Sequence, residues 1–179
     1  DRVPYVYLSD GGHFENLGVY ELVRRRCRYV VLCDAGQDGD HAFEDLGNGY
    51  LRVVNQNSGK CLDVASASTA DGANIIQYSC GSGTNQQWQW TATGGYYTLK
   101  ARHSGKCLDV VNANTADGAD IQQYTCNGGN NQQWLLQPVG DGYYNLLSRH
   151  SGKALDVTDW SNQDGAPIQQ WALHGGLRH

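Results

Sequence analysis

From residue 49 onward, short apolar runs alternate with turn residues at a fixed period. Runs such as "CLDV" (61–64) and "IIQY" (75–78) are separated by "NSGK", by "ADG" and by a Gly-rich stretch. "SGKCLDV" at 58–64 returns at 104–110, and as "SGKALDV" at 151–157, offsets of 46 and 47 residues. "ADGANIIQY" (70–78) returns as "ADGADIQQY" (116–124) and "QDGAPIQQW" (163–171), and "TNQQW" (84–88) as "NNQQW" (130–134). Asp-Gly between alternating segments favours a tight hairpin, because glycine takes positive φ without steric cost. Each unit therefore predicts about four short strands. Three such units bury their apolar faces only together. The pattern predicts an all-β fold of three ~46-residue repeats, at about 49–94, 95–141 and 142–179, closed into a barrel with hairpin caps.

The first 48 residues follow another rhythm. "VPYVYLS" (3–9) reads as a strand and "DGG" (10–12) as a turn. "NLGVYELVRRRC" (16–27) reads as an amphipathic helix with Leu17, Tyr20, Leu22 and Val23 as its apolar residues, and "RYVVLCD" (28–34) as a buried strand. That is a short β-α-β segment, which needs a larger sheet to cover it. His13 and His41 fall in polar turns, without a partner at ligand spacing.

Composition marks the junction. Glu15, Glu21, Glu44, Phe14 and Phe43 all precede residue 48, while every Trp and every Lys follows it. The expected boundary is 48/49, with "DLGNGY" (45–50) as the seam. The net charge of −5, with no basic run longer than "RRR" (24–26), argues against a nucleic-acid partner. No apolar stretch approaches the roughly 18 residues of a membrane span. The sequence contains no methionine, so it is expected to begin at a processed or truncated end.

The order "CLDV", "IQQY/W", "NQQW", repeated over 49–179, resembles the ricin B-type lectins, the QxW β-trefoils. That resemblance implies a β-trefoil and non-catalytic binding of galactose- or xylose-type sugars, with no cofactor. It also carries the sugar positions of the family onto this chain. In the first repeat these are Asp63, Tyr78, Asn85 and Gln86. In the second they are Asp109, Gln122, Tyr124, Asn131 and Gln132, and in the third Asp156, Gln169, Trp171 and His174. The chemistry is consistent with sugar, whose apolar C–H face suits an aromatic ring and whose hydroxyls suit a fixed carboxylate. Each Asp is alternatively a turn cap. Trp88 and Trp134 read as core, Tyr78 and Tyr124 as half exposed, and Trp90 and Trp160 as packing or surface residues. Ile76 replaces the glutamine found at 122 and 169, and the third repeat ends in "GGLRH" instead of Asn-Gln-x-Trp. The second site is thus expected to be the most complete and the third the least. A gap is expected where the third Trp and its strand should stand.

Cys61 and Cys80 are 19 residues apart, as are Cys107 and Cys126, and the third repeat loses both positions together, to Ala154 and Leu173. Loss as a pair points to two disulfides; no close Cys/His quartet suggests a metal. Disulfides imply an oxidising compartment and a secreted protein.

Residues 1–48 resemble the C-terminal part of patatin-like phospholipases, in which the Asp of "DGG" partners a serine nucleophile. Asp10 would then be a vestigial dyad carboxylate. The chain has no G-x-S-x-G and no Gly-rich oxyanion loop ahead of Asp10, so acyl hydrolysis is not expected of it. A catalytic domain or chain elsewhere in the parent protein is a further expectation.

Overall fold

The computed structural model describes residues 43–45, 49–140 and 142–173. The expected β-α-β segment, with Asp10, His13 and His41, lies outside the described residues, as does His174.

Phe43–Asp45 forms a first strand (β1). The first repeat then supplies Leu51–Val53 (β2), Cys61–Val64 (β3), Ala73–Tyr78 (β4) and Trp88–Thr93 (β5). The second supplies Tyr96–Ala101 (β6), Cys107–Val110 (β7), Ala119–Tyr124 (β8) and Trp134–Gly140 (β9). The third contributes Tyr143–Ser148 (β10), Ala154–Val157 (β11) and Ile168–Trp171 (β12). Strand lengths follow the alternation, and all the described regular structure is strand or short 3-10 turn.

Two classes of hairpin build the fold. Barrel hairpins join the last strand of one repeat to the first of the next, β5 to β6 and β9 to β10. Cap hairpins join the middle strands of each repeat, β3 to β4, β7 to β8 and β11 to β12. The caps meet around a pseudo-threefold axis through Ala73↔Gln123, Gln169↔Asp120 and the isolated bridge Ile76↔Pro167. This is a β-trefoil, as the repeat predicts.

The strand expected to be missing from the third corner is present, and it comes from the other end of the described chain. β1 pairs with β2 through Phe43↔Val53, Glu44↔Arg52 and Asp45↔Leu51. Val53, Leu99 and Leu146 each stand five residues ahead of the serine of the repeated heptapeptide. Their partners are Phe43, Trp90 and Leu136, so β1 holds the register of β5 and β9. Its pairing with β2 spans the expected 48/49 boundary. "LGNGY" (46–50) corresponds in the repeat to "VGDGY" (139–143).

The core lies inside the barrel and beneath the caps. Trp88 and Trp134 are fully buried, and their indole N–H groups donate to the carbonyls of Leu62 (3.1 Å) and Leu108 (3.2 Å). Around them pack Leu62, Val64, Ile75, Tyr97, Leu99, Leu108, Val110 and Ile121. A cavity of about 110 Å³ opens at the third corner. Its lining includes Leu155, the counterpart of Leu62 and Leu108, and Tyr144, the counterpart of Tyr97.

Cohesion between repeats rests on a threefold polar network. Gln77, Gln123 and Gln170 are at most 1% exposed. Each amide donates twice to the preceding repeat in cyclic order: Gln77 to the carbonyls of Ser161 and Gln163, Gln123 to those of Ser68 and Ala70, and Gln170 to those of Asn114 and Ala116. Each carboxamide oxygen accepts the hydroxyl of its own repeat's Ser58, Ser104 or Ser151 at 2.7–2.8 Å. No polar group of these buried amides is left unmatched, as burial requires. Ion pairs run the same way around the axis: Lys60 to Asp164 (2.6 Å), Lys106 to Asp71 (2.7 Å) and Lys153 to Asp117.

Candidate functional site

A carboxylate stands on each cap hairpin directly opposite the position that varies between repeats. Asp63 faces Ile76, Asp109 faces Gln122 and Asp156 faces Gln169. Two residues along the strand, on the same face, come Tyr78, Tyr124 and Trp171. Tyr78 and Tyr124 are 47% and 41% exposed, as the sequence predicts.

The Asn-Gln pairs arrive on 3-10 turns, Thr84–Gln86 and Asn130–Gln132. In the first site Oδ2 of Asp63 accepts the Asn85 amide at 2.9 Å and the Gln86 amide at 2.8 Å. In the second, Oδ2 of Asp109 accepts Asn131 at 2.8 Å and Gln132 at 2.9 Å, while its Oδ1 accepts Gln122 at 2.9 Å. In the third, Oδ2 of Asp156 accepts Gln169 at 2.8 Å. The structure thus gathers the expected polar residues of the first two repeats into two matched clusters. The described part of the third cluster is smaller.

Gln86 and Gln132 play a part that spacing alone does not reveal. They are 4% and 1% exposed. Besides the carboxylate, Gln86 donates to the Ser79 carbonyl and accepts the Gly81 N–H. Gln132 likewise donates to the Thr125 carbonyl and accepts the Asn127 N–H. Both sit beneath the carboxylate and aim it, while the half-buried Asn85 and Asn131 stand nearer the surface.

The expected disulfides are present. Cys61–Cys80 and Cys107–Cys126 each tie the first residue of a cap hairpin to the second residue beyond its second strand, with Cα atoms 5.1 Å apart. Cys61 and Cys107 lie opposite Tyr78 and Tyr124, so each bridge braces its aromatic as well as its hairpin.

Three features beside the sites escape sequence reasoning. One residue beyond each "LDV", two residues other than glycine take positive φ between 48° and 55°: Ser66–Ala67, Asn112–Ala113 and Asp159–Trp160. Such a pair is uncommon and is held by its surroundings. It places Trp160, 57% exposed, at the rim of the third-corner cavity with Asp156. His103, whose Nε2 lies 2.8 Å from the Ser68 carbonyl, acts on the charge of Asp63. Burial pushes the Asp63 carboxyl above the usual carboxylate range, opposed by the amides of Gln86 and Asn85 and by His103.

Among the described residues no group of three His, Cys, Asp or Glu is placed to hold a metal ion, and no helix is long and apolar enough to cross a membrane.

A family profile described as "Ricin-type beta-trefoil lectin domain-like" matches residues 40–121 and 84–171. Among solved structures, the designed threefold-symmetric protein ThreeFoil is 58% identical, with a TM-score of 0.70 over 72% of this chain and 93% of that one. The exo-β-1,3-galactanase 1,3Gal43A from Clostridium thermocellum is 44% identical, with a TM-score of 0.69 over 72% of this chain and 28% of its own. A Macrolepiota procera ricin B-like lectin, solved with lactose, is 22% identical with a TM-score of 0.62, over 82% of this chain and 93% of that one. At that identity it speaks for the fold alone.

Proposed function

The chain belongs to the ricin-type β-trefoil lectin-like family, and on that premise we propose that it binds carbohydrate without chemical turnover. Its best-formed site is the one around Asp109. The observation that carries this reading is the carboxylate of Asp109, held on both oxygens by Gln122, Asn131 and Gln132 beside the exposed ring of Tyr124. A fixed, negatively charged acceptor next to an aromatic platform suits a sugar hydroxyl and its adjoining C–H face. Each cluster holds one carboxylate among amides, whereas glycoside hydrolysis ordinarily needs two carboxyl groups flanking the bond.

The ligand we favour is galactose-configured, since a stretch 44% identical lies within an exo-β-1,3-galactanase; xylose-type sugars are the alternative. Two matched clusters on one rigid body suit a repetitive glycan, because binding at one raises the effective concentration at the other. This chain spans about a quarter of the galactanase (28%), which supports a module serving a catalytic domain of its parent protein. The two disulfides support an extracellular setting.

The test is titration of the chain with β-1,3-galactobiose and xylobiose, alongside Asp63→Ala, Asp109→Ala and the double variant. The reading expects binding of one sugar class, weakened by each single change and abolished by both. Binding that survives the double change, with the fold intact, overturns the site assignment. No binding of either class overturns the ligand.

A further inference from the structure

The first two clusters match on one carboxylate oxygen and differ on the other. Oδ2 of Asp63 and of Asp109 each accept an Asn and a Gln amide. Oδ1 of Asp109 accepts Gln122, as Oδ2 of Asp156 accepts Gln169. Opposite Asp63 stands Ile76, half-buried on the outer face beside Tyr78, and Oδ1 of Asp63 takes no donor among the described residues. That oxygen is not among the fully sealed, unpartnered polar atoms, although Asp63 as a whole is only 5% exposed.

The neighbouring cap hairpin confirms that space is distributed differently. A Cβ built on Gly72 would lie 3.7 Å from the Gln122 carboxamide oxygen, and one on Gly118 would lie 3.8 Å from that of Gln169. Gly165, their counterpart beside Ile76, would meet nothing within 4 Å. The first site therefore has an acceptor oxygen without a protein donor and an apolar edge at Ile76 where the other two have a carboxamide.

We propose that Ile76 sets a separate specificity for the first site, which accepts a sugar bearing an apolar group at that edge: a deoxy carbon, a methyl ether or the methyl of an acetamide. The second site instead requires a hydroxyl there. The physical reason lies in the amide. Gln122 at the binding surface must keep hydrogen-bond partners, and an apolar group pressed against it removes them. Ile76 loses nothing to the same group and gains contact, while the donor-free oxygen of Asp63 accepts the adjacent hydroxyl. This rests on the carbohydrate reading above.

The experiment isolates each site in the whole chain. Asp109→Ala with Asp156→Ala leaves the first, and Asp63→Ala with Asp156→Ala leaves the second. Each is titrated with methyl galactoside and its monodeoxy, mono-O-methyl and 2-acetamido derivatives. One substituted position should be tolerated by the first site and rejected roughly tenfold by the second, the scale of one mismatched group. Ile76→Gln should impose that rejection on the first site and Gln122→Ile should relieve it in the second. The reciprocal exchange guards against a variant that merely misfolds. Identical rank orders at the two sites, or an exchange that transfers nothing, overturn the inference while leaving carbohydrate binding intact. Absence of all sugar binding in the unaltered chain overturns both.

Discussion

Gln132→Leu separates a residue that touches ligand from one that aims another side chain. The substitution roughly keeps size and removes every polar contact of a residue 1% exposed. Three hydrogen bonds disappear: to Oδ2 of Asp109, to the Thr125 carbonyl and from the Asn127 N–H. Thr125 and Asn127 lie on an exposed loop, so their backbone groups regain water. The bond to a buried carboxylate is not so easily replaced, and one charge-assisted bond contributes about 2 kcal/mol. For a chain of this length that lowers the melting temperature by roughly 4–8 °C. Asp109 keeps Asn131 and Gln122 but gains rotamer freedom that ligand must remove, at about 0.5–1.5 kcal/mol. Second-site affinity then falls by up to about tenfold. The assays are calorimetric melting and sugar titration in a chain whose only intact carboxylate is Asp109. An unchanged melting temperature, or an unchanged second-site affinity, refutes the assignment of Gln132 as a positioning residue.

Other consequences follow from the same contacts. Gln123→Leu strips partners from the Ser68 and Ala70 carbonyls and the Ser104 hydroxyl, and should cost on the order of 2–4 kcal/mol, read as a lower denaturant midpoint. Reducing Cys61–Cys80 and Cys107–Cys126 should remove roughly 3 kcal/mol per bridge in the chain-entropy model, visible as a large fall in melting temperature under dithiothreitol. Removing residues 1–48 deletes β1 and uncovers β2, so the shortened chain should melt lower and less sharply than one beginning at residue 40.

Acid should act first through Asp63. Burial raises its carboxyl pKa, so first-site binding in a first-site-only chain should fade as pH falls from above the ordinary carboxylate range. The native state binds that proton more tightly than the unfolded chain does. Its contribution to stability is therefore present at acid pH and lost as pH rises through the raised pKa. The sign is opposite for Asp71 and Asp164. Hydrogen bonds from Lys106 and Lys60 are the main cause of their lowered pKa values, and their contribution is lost as pH falls through those values. NMR titration of the three carboxyls checks both signs.

The heptapeptide shows what a repeat discloses and what it conceals. Leu62 and Val64 in the core, the cysteine bridge, the buried Trp88 and the half-exposed Tyr78 all follow from alternation, turn chemistry and paired loss in the third copy. The duties of Ser58 and Lys60 do not. Their partners are Gln77, 19 residues on, and Asp164 of another repeat, and that second contact exists only once the threefold ring closes. β1 was concealed for a related reason. Its strand completes the third repeat from ahead of the first, so the change of composition near residue 48 reads as a junction between unrelated sequences, although "LGNGY" matches "VGDGY". The buried orientation of Gln86 and Gln132 depends on 3-10 turns that spacing does not specify.

Titration of the whole chain with β-1,3-galactobiose, beside the Asp63→Ala, Asp109→Ala double variant, tests the central claim most directly. The expected result is saturable binding by the parent chain and none by a double variant that melts cooperatively. Undiminished binding by that variant, or a parent chain that binds neither this sugar nor a xylose-type one, would contradict it.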